Sequence, residues 1–190
     1  MMHVMADLTD RYRFEGTTAC VDVRVKAASY IFDSRDPAPL IERDLDIGVT
    51  EYIAASAEEL PVKYPLKLVF WLAEPSPVDP RELAASITRH FTFDRLRAAR
   101  AVRASRRQAR WMLAMGLLTL AVFLMLGELT LSWEDHPVGK VVNTGFTILG
   151  WVAMWRPLEA LIYDWWPLLQ RRRLFERLAR APVEVREGRG

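Results

Sequence analysis

Between Ala19 and Lys26 apolar and polar side chains alternate strictly. Val21, Val23 and Val25 share one face, while Asp22, Arg24 and Lys26 share the other. A period of two is that of a half-buried strand. Tyr12–Phe14, just before Glu15 and Gly16, supplies a hairpin partner for it. Further on, Val49, Tyr52, Ile53 and Leu60 recur at helical spacing behind an acidic cap, Asp44 or Asp46. This predicts a helix with those four residues on one face. Pro61 and Pro65 bracket a break after it. Leu66, Leu68, Phe70 and Leu72 then alternate as a second strand, with Val69 and Trp71 opposite. Two apolar faces predict a central or covered strand.

Glu74–Asp79 reads as a turn that ends in a helix start: Asp79 caps, Pro80 takes the first helical position and Glu82 follows. From Arg81 to Met115 there is neither Pro nor Gly. A single helix is therefore expected to leave the domain and continue into the apolar segment, with Thr92–Asp94 as the place for a bend.

That segment, Trp111–Leu131, contains one charge, Glu128. A bilayer core needs about 20 apolar helical residues, so the segment is long enough to cross. A second apolar run starts at Val141 and ends at Trp155, before Arg156, Pro157, Leu158 and Glu159. It is short for a span, and Arg156 is expected to snorkel to the headgroups. Pro157 predicts a kink. Beyond it Leu158, Leu161, Ile162, Trp165, Leu168 and Leu169 fall at helical spacing before an Arg cluster. They predict an amphipathic elbow helix in the interfacial plane, broken again at Pro167.

The expected fold class is α+β. A small cytoplasmic α+β domain (1–78) stands on a basic stalk helix (79–110) continuous with a two-helix transmembrane hairpin. The hairpin comprises spans 111–131 and 141–157 around an external loop, 132–140. A C-terminal interfacial helix (158–181) and a tail (182–190) follow.

Charge adds an orientation. Residues 1–90 hold 10 Lys/Arg against 15 Asp/Glu, and residues 91–190 hold 16 against 9. An acidic front half therefore precedes a basic, Trp-rich back half. Seven arginines, Arg95 to Arg110, precede the first span, and Arg171, Arg172, Arg173, Arg177 and Arg180 follow the second. The loop between the spans carries only Lys140. Positive charge stays on the cytoplasmic side, so both termini are expected inside. Trp111, Trp133, Trp151, Trp155, Trp165 and Trp166 cluster near the span ends, as interfacial aromatics do. The N-terminus turns acidic and aromatic at once, which does not suit a cleaved signal peptide.

Candidate chemistry is sparse. Arg97, Arg100, Arg103, Arg107 and Arg110 share one helix face. Arg103, Arg106, Arg107, Arg110, Arg156, Arg171, Arg172 and Arg173, with Trp165 and Trp166, are the expected lipid-headgroup anchors. Glu128, Asn143 and Thr147 form a candidate intramembrane polar site; the plainer use of Glu128 is a carboxylate reaching water at the outer interface, and that of Asn143 and Thr147 is interhelical hydrogen bonding. Arg156 and Glu159 are spaced to pair, and Asp164 is placed to take an Arg from the tail. Cys20, the single cysteine, cannot form an internal disulfide and falls in the first strand. His3, His90 and His136 are scattered without metal-ligand spacing. No phosphate loop, serine elbow or cysteine pair is present. Neither a cofactor, a metal nor a catalytic group is expected, and nucleic acid is not an expected partner.

The run Trp155–Glu159, then Tyr163–Pro167 and the Arg cluster, together with Asp44–Asp46 leading to Glu51–Ile53, resembles a group of uncharacterised bacterial proteins. These have a cytoplasmic domain and two C-terminal spans. The likeness runs from about Thr18 onward; it implies architecture and carries over no site. It places the chain in the bacterial cytoplasmic (inner) membrane, multi-pass. The leading expectation is a non-enzymatic, homo-oligomeric scaffold or adaptor that meets membrane lipids and a cytoplasmic protein partner. The alternative is a subunit of an oligomeric ion channel or transporter.

Overall fold

A computed structural model describes residues 11–129 and 137–188. The first turn of structure is the expected hairpin. β1 (Arg13–Glu15) pairs antiparallel with β2 (Thr18–Val25), Glu15 facing Thr18 across the turn. Gly16 takes φ +65, a region that costs an L side chain energy. Helix α1 (Ile47–Glu59) follows, capped by Asp46, whose side chain accepts from the Gly48 and Val49 amides at 2.8 and 3.3 Å. Of its expected face, Ile53 and Leu60 are buried, but Tyr52 is exposed and its hydroxyl reaches the Asp22 carbonyl. β3 (Leu66–Leu72) then pairs parallel with β2.

The largest departure from the sequence reading is at the other end of the chain. Val183–Glu187, expected to be a tail, is a strand, β4, which pairs parallel with β3. The sheet order is β1-β2-β3-β4, so β3 is indeed flanked on both sides. Parallel neighbours need a crossover. Between β2 and β3 the crossover contains α1; between β3 and β4 it contains the three later helices.

The helices in that second crossover agree with expectation only in part. α2 (Pro80–Leu129) is one uninterrupted helix, as the lack of Pro and Gly from Arg81 to Met115 predicts, and it runs on through Thr92–Asp94. There the Thr88 and Thr92 hydroxyls donate to carbonyls one turn back, and His90 and Asp94 approach to 3.4 Å along the helix. Its start is as predicted, with Asp79 accepting from the Arg81 amide at 2.7 Å. α3 (Pro137–Ile162) begins inside the expected external loop and continues through Pro157. The rest of that loop, with His3, Trp133 and His136, lies outside the described residues. The chain turns at Tyr163–Trp165, and α4 (Trp166–Leu178) follows with Pro167 in its first turn. Proline is tolerated there because that amide has no intrahelical partner. The expected single elbow helix over 158–181 is thus the end of α3, a turn, and α4.

The chain forms two compact units. One comprises residues up to Ala98 together with those from Arg172 onward; the other is Ala99–Arg171. The core of the first lies on one face of the sheet. Ala19, Val21, Val23, Leu66, Leu68, Phe70 and Leu72 meet Ile53, Ala57 and Leu60 of α1, and Leu83, Ile87 and Phe91 of α2. Leu174, Phe175 and Leu178 of α4 belong to the same core. Those side chains are not interfacial, because the strand that follows α4 pins it to the sheet. The acidic character of the front half is largely cancelled by this closure. Counted over the whole unit there are 18 Lys/Arg against 19 Asp/Glu.

The opposite face of the sheet carries an ionic ladder. Arg13 donates twice to Asp22, at 3.1 and 2.9 Å, and Trp71 Nε1 donates to the same carboxylate at 3.0 Å. Lys67 bridges Glu15 at 2.8 Å and also pairs with Glu184 of β4. Arg186 pairs with Glu184 at 2.6 Å and lies 5.1 Å over the Trp71 ring. Burial acts to raise the Asp22 carboxyl, but Arg13 and Trp71 outweigh it and hold it below the usual range. Arg186 and Lys67 lower Glu184 to about 2. Val69 is fully buried beneath the stems of these side chains. Cys20, on the same face, is also buried; burial pushes its thiol upward and keeps it protonated.

Candidate membrane-interface site

The second unit contains the later part of α2, α3 and the start of α4. Among the described helices, α2 is long and apolar enough to cross a membrane, and only 11% of its apolar window is buried. α3, the expected second span, falls short of that composition because Asn143, the threonines, Arg156 and Glu159 interrupt it.

The two helices touch at successive points in opposite chain directions. Gly116 meets Pro157, Leu120 and Phe123 meet Gly150, Phe123 stacks on Phe146 at 6.1 Å, and Gly127 meets Asn143. A Cβ at Gly116 would lie 2.6 Å from the Pro157 ring, so the missing side chain makes room for the proline inside α3. At Gly150 the nearest atom, at 2.8 Å, is the mobile Cδ1 of Leu120. Gly116→Ala is therefore expected to destabilise the purified protein by roughly 1–3 kcal/mol, the usual range for overpacking. Gly150→Ala is expected to cost less, because a leucine can change rotamer and a proline ring cannot. Thermal unfolding of the two variants in one detergent checks the order.

Outside this seam many large apolar side chains are exposed. Trp111, Met115, Leu118, Val122 and Met125 of α2 and Val141, Ile148, Trp151, Val152 and Trp155 of α3 are all exposed. Soluble monomers rarely expose contiguous apolar area on this scale.

The predicted polar positions lie along the seam between the helices and beside it. The Asn143 side chain lies against Gly127, and Thr147 donates to the Asn143 carbonyl at 3.2 Å. Glu128 is exposed. Arg156 pairs with Glu159 at 3.2 Å, as the spacing predicts, and with Asp164 at 3.7 Å. Asp164 thus takes Arg156 rather than an arginine of the tail.

The anchor residues divide between the units. Arg172 pairs with Glu176 at 2.9 Å and, with the exposed Arg173, belongs to the α+β unit. Arg171 stays in the helical unit. Arg103, Arg106, Arg107 and Arg110 are joined by Arg100 around a groove of about 760 Å³. Leu161 and Trp165 form its apolar wall. The Arg106 guanidinium sits 5.5 Å over the Trp165 ring, and Trp166 packs edge-on to Trp165 at 5.9 Å. The groove unites the arginine stripe with an aromatic residue more than fifty positions away. The stripe was legible from its period, whereas the wall depends on the turn at Tyr163–Trp165.

Comparison with protein-family models, with curated proteins and with solved structures finds no match to this chain. Among the described residues no group of His, Cys, Asp and Glu is arranged to hold a metal ion.

Proposed function

We propose that the chain is a two-pass membrane protein that displays its α+β domain on the cytoplasmic face as a non-catalytic interaction module, a scaffold or adaptor. The observation that carries this reading is the split of the domain around the helical unit. β3 and β4 are neighbours in one sheet, yet residues 73–182 lie between them. Both ends of that excursion are buried in one core and so lie on one side of a membrane. A chain that leaves a compartment and returns crosses an even number of times. α2 is suited to one crossing, and α3 is the described helix available for the return. Its 26 residues extend about 39 Å, more than the roughly 30 Å hydrocarbon layer. The Arg156–Glu159 and Arg156–Asp164 pairs reduce the cost of a charge at its end.

The flanking arginines favour the cytoplasmic side for the domain and both termini. The resemblance to bacterial proteins makes that membrane the cytoplasmic (inner) one. Exposed apolar faces on α2 and α3 suit lipid and further copies of the chain, so homo-oligomerisation belongs to the same reading. The channel or transporter reading draws less support, because Asn143 is engaged with Gly127 instead of standing open.

The test is sided labelling in intact cells. His136→Cys is expected to react with an impermeant reagent from outside, and Gly190→Cys only after permeabilisation. Labelling of both from one side, or release of the protein by alkaline wash, overturns the two-pass reading. Capture from solubilised membranes is expected to recover a specific protein partner; recovery of none overturns the scaffold role.

A further inference from the structure

We propose that the arginine groove of the helical unit is a binding site for the headgroup of an anionic phospholipid. This rests on the membrane reading above and adds a ligand to it. Three observations carry the proposal. First, the groove is lined by five guanidinium groups, from Arg100, Arg103, Arg106, Arg107 and Arg110, and by no carboxylate. Among the described residues none of these five makes an ion pair. Like charges three and four residues apart on a helix repel one another. Such a cluster is stabilised by a bound anion, and the planar guanidinium fork suits phosphate oxygens two at a time.

Second, the remaining wall is apolar. Leu161 and Trp165 line the groove with the arginines, and the small Ala104 and Ala109 line it too. Trp165 also holds the Arg106 guanidinium over its ring, which fixes the direction of that donor. A site for free phosphate has no use for a hydrocarbon wall, whereas the glycerol and upper acyl carbons of a lipid do. A volume of about 760 Å³ accommodates a headgroup and its glycerol.

Third, the groove ends where the apolar segment begins. Arg110 is followed directly by Trp111, and exposed Trp111, Met115 and Leu118 continue along α2. A lipid whose phosphate lies among the arginines has a continuous apolar path for its chains. Basic pockets on the cytoplasmic side of membrane helices bind anionic headgroups on this principle.

The experiment is native mass spectrometry of the full-length, detergent-solubilised protein with phosphatidylglycerol or phosphatidylcholine. Retention of the anionic lipid is expected to exceed that of the zwitterionic one by roughly tenfold or more, on the scale of several basic side chains near a headgroup. The triple variant R103Q/R107Q/R110Q is expected to lose the preference. Because removing arginines can also disturb insertion, R103K/R107K/R110K is measured beside it. That variant keeps the charge that sets orientation and is expected to retain only part of the preference. Arg35→Gln, on the α+β domain, is expected to behave as the parent. Equal retention of the two lipids, or full preference in the glutamine variant, overturns the proposal. So does complete displacement by inorganic phosphate or by a short RNA, either of which would identify a different anion. A protein found in the soluble fraction defeats the membrane reading itself, whereas an integral protein with no headgroup preference defeats only this site.

Discussion

A chain ending at Arg171 is expected to lose the whole α+β domain, not merely a tail. Leu174, Phe175 and Leu178 fill the core beside Ile53, Ala57 and Leu60, and β4 covers the edge of β3. Burying one such side chain stabilises a fold by about 1.5–3 kcal/mol. Three together are comparable with the roughly 5–15 kcal/mol net stability of an ordinary domain. The truncation would also bare the edge of β3, an aggregation hazard. Circular dichroism and limited proteolysis of the truncated protein, solubilised from membranes, check this. A protease-resistant fragment covering residues 11–98 would show that the front of the chain folds without its C-terminal partner.

The second large effect is expected at Arg177. From α4 its guanidinium donates to four carbonyls: Ala57 at 3.0 Å, Leu60 at 2.8 Å, Pro61 at 2.9 Å and Tyr64 at 2.8 Å. These lie at the end of α1 and in the loop that leads into β3. The last carbonyls of a helix lack intrahelical partners, and that end of the helix attracts a cation. Burial lowers the pKa of Arg177 from its ordinary value, but an arginine stays charged. Arg177→Ala leaves these acceptors without their donor and is expected to cost roughly 3–5 kcal/mol, since each charged hydrogen bond of this kind is worth about 1.5–3 and the four share one group. Arg177→Lys is expected to recover less than the full loss, because an ammonium cannot span four carbonyls as the fork does. Thermal or denaturant unfolding of the domain signal measures both. A change below about 1 kcal/mol in Arg177→Ala would show that water replaces the guanidinium at no cost.

Both predictions concern residues that look interfacial in sequence. Arg177 belongs to an arginine cluster that reads as a topology signal, and Leu174 and Leu178 share the leucine-rich spacing of an amphipathic surface helix. The same composition serves a lipid surface and a protein core. Only the element packed against it distinguishes the two. The period-two pattern of Val183 and Val185 against Glu184 and Arg186 was present. Five residues next to a basic cluster read equally well as a solvated end.

Local order was determined by the sequence itself. The alternation of β2, the turn at Gly16, the Asp46 cap, the Asp79–Pro80–Glu82 start and the length of the apolar part of α2 all follow from neighbours within a few residues. Side-chain period, capping and span length act at that range, so they can be read there. The partner of the far edge of β3 could not, because backbone pairing between strands joined by residues 73–182 leaves no trace in either strand alone. The same holds for the packing of Pro157, whose ring meets a glycine forty-one positions earlier, and for the groove, whose wall depends on a turn after α3. The tertiary structure decided that the two ends of the chain form one domain. The proposed even number of membrane crossings rests on that closure more than on the apolar segments themselves.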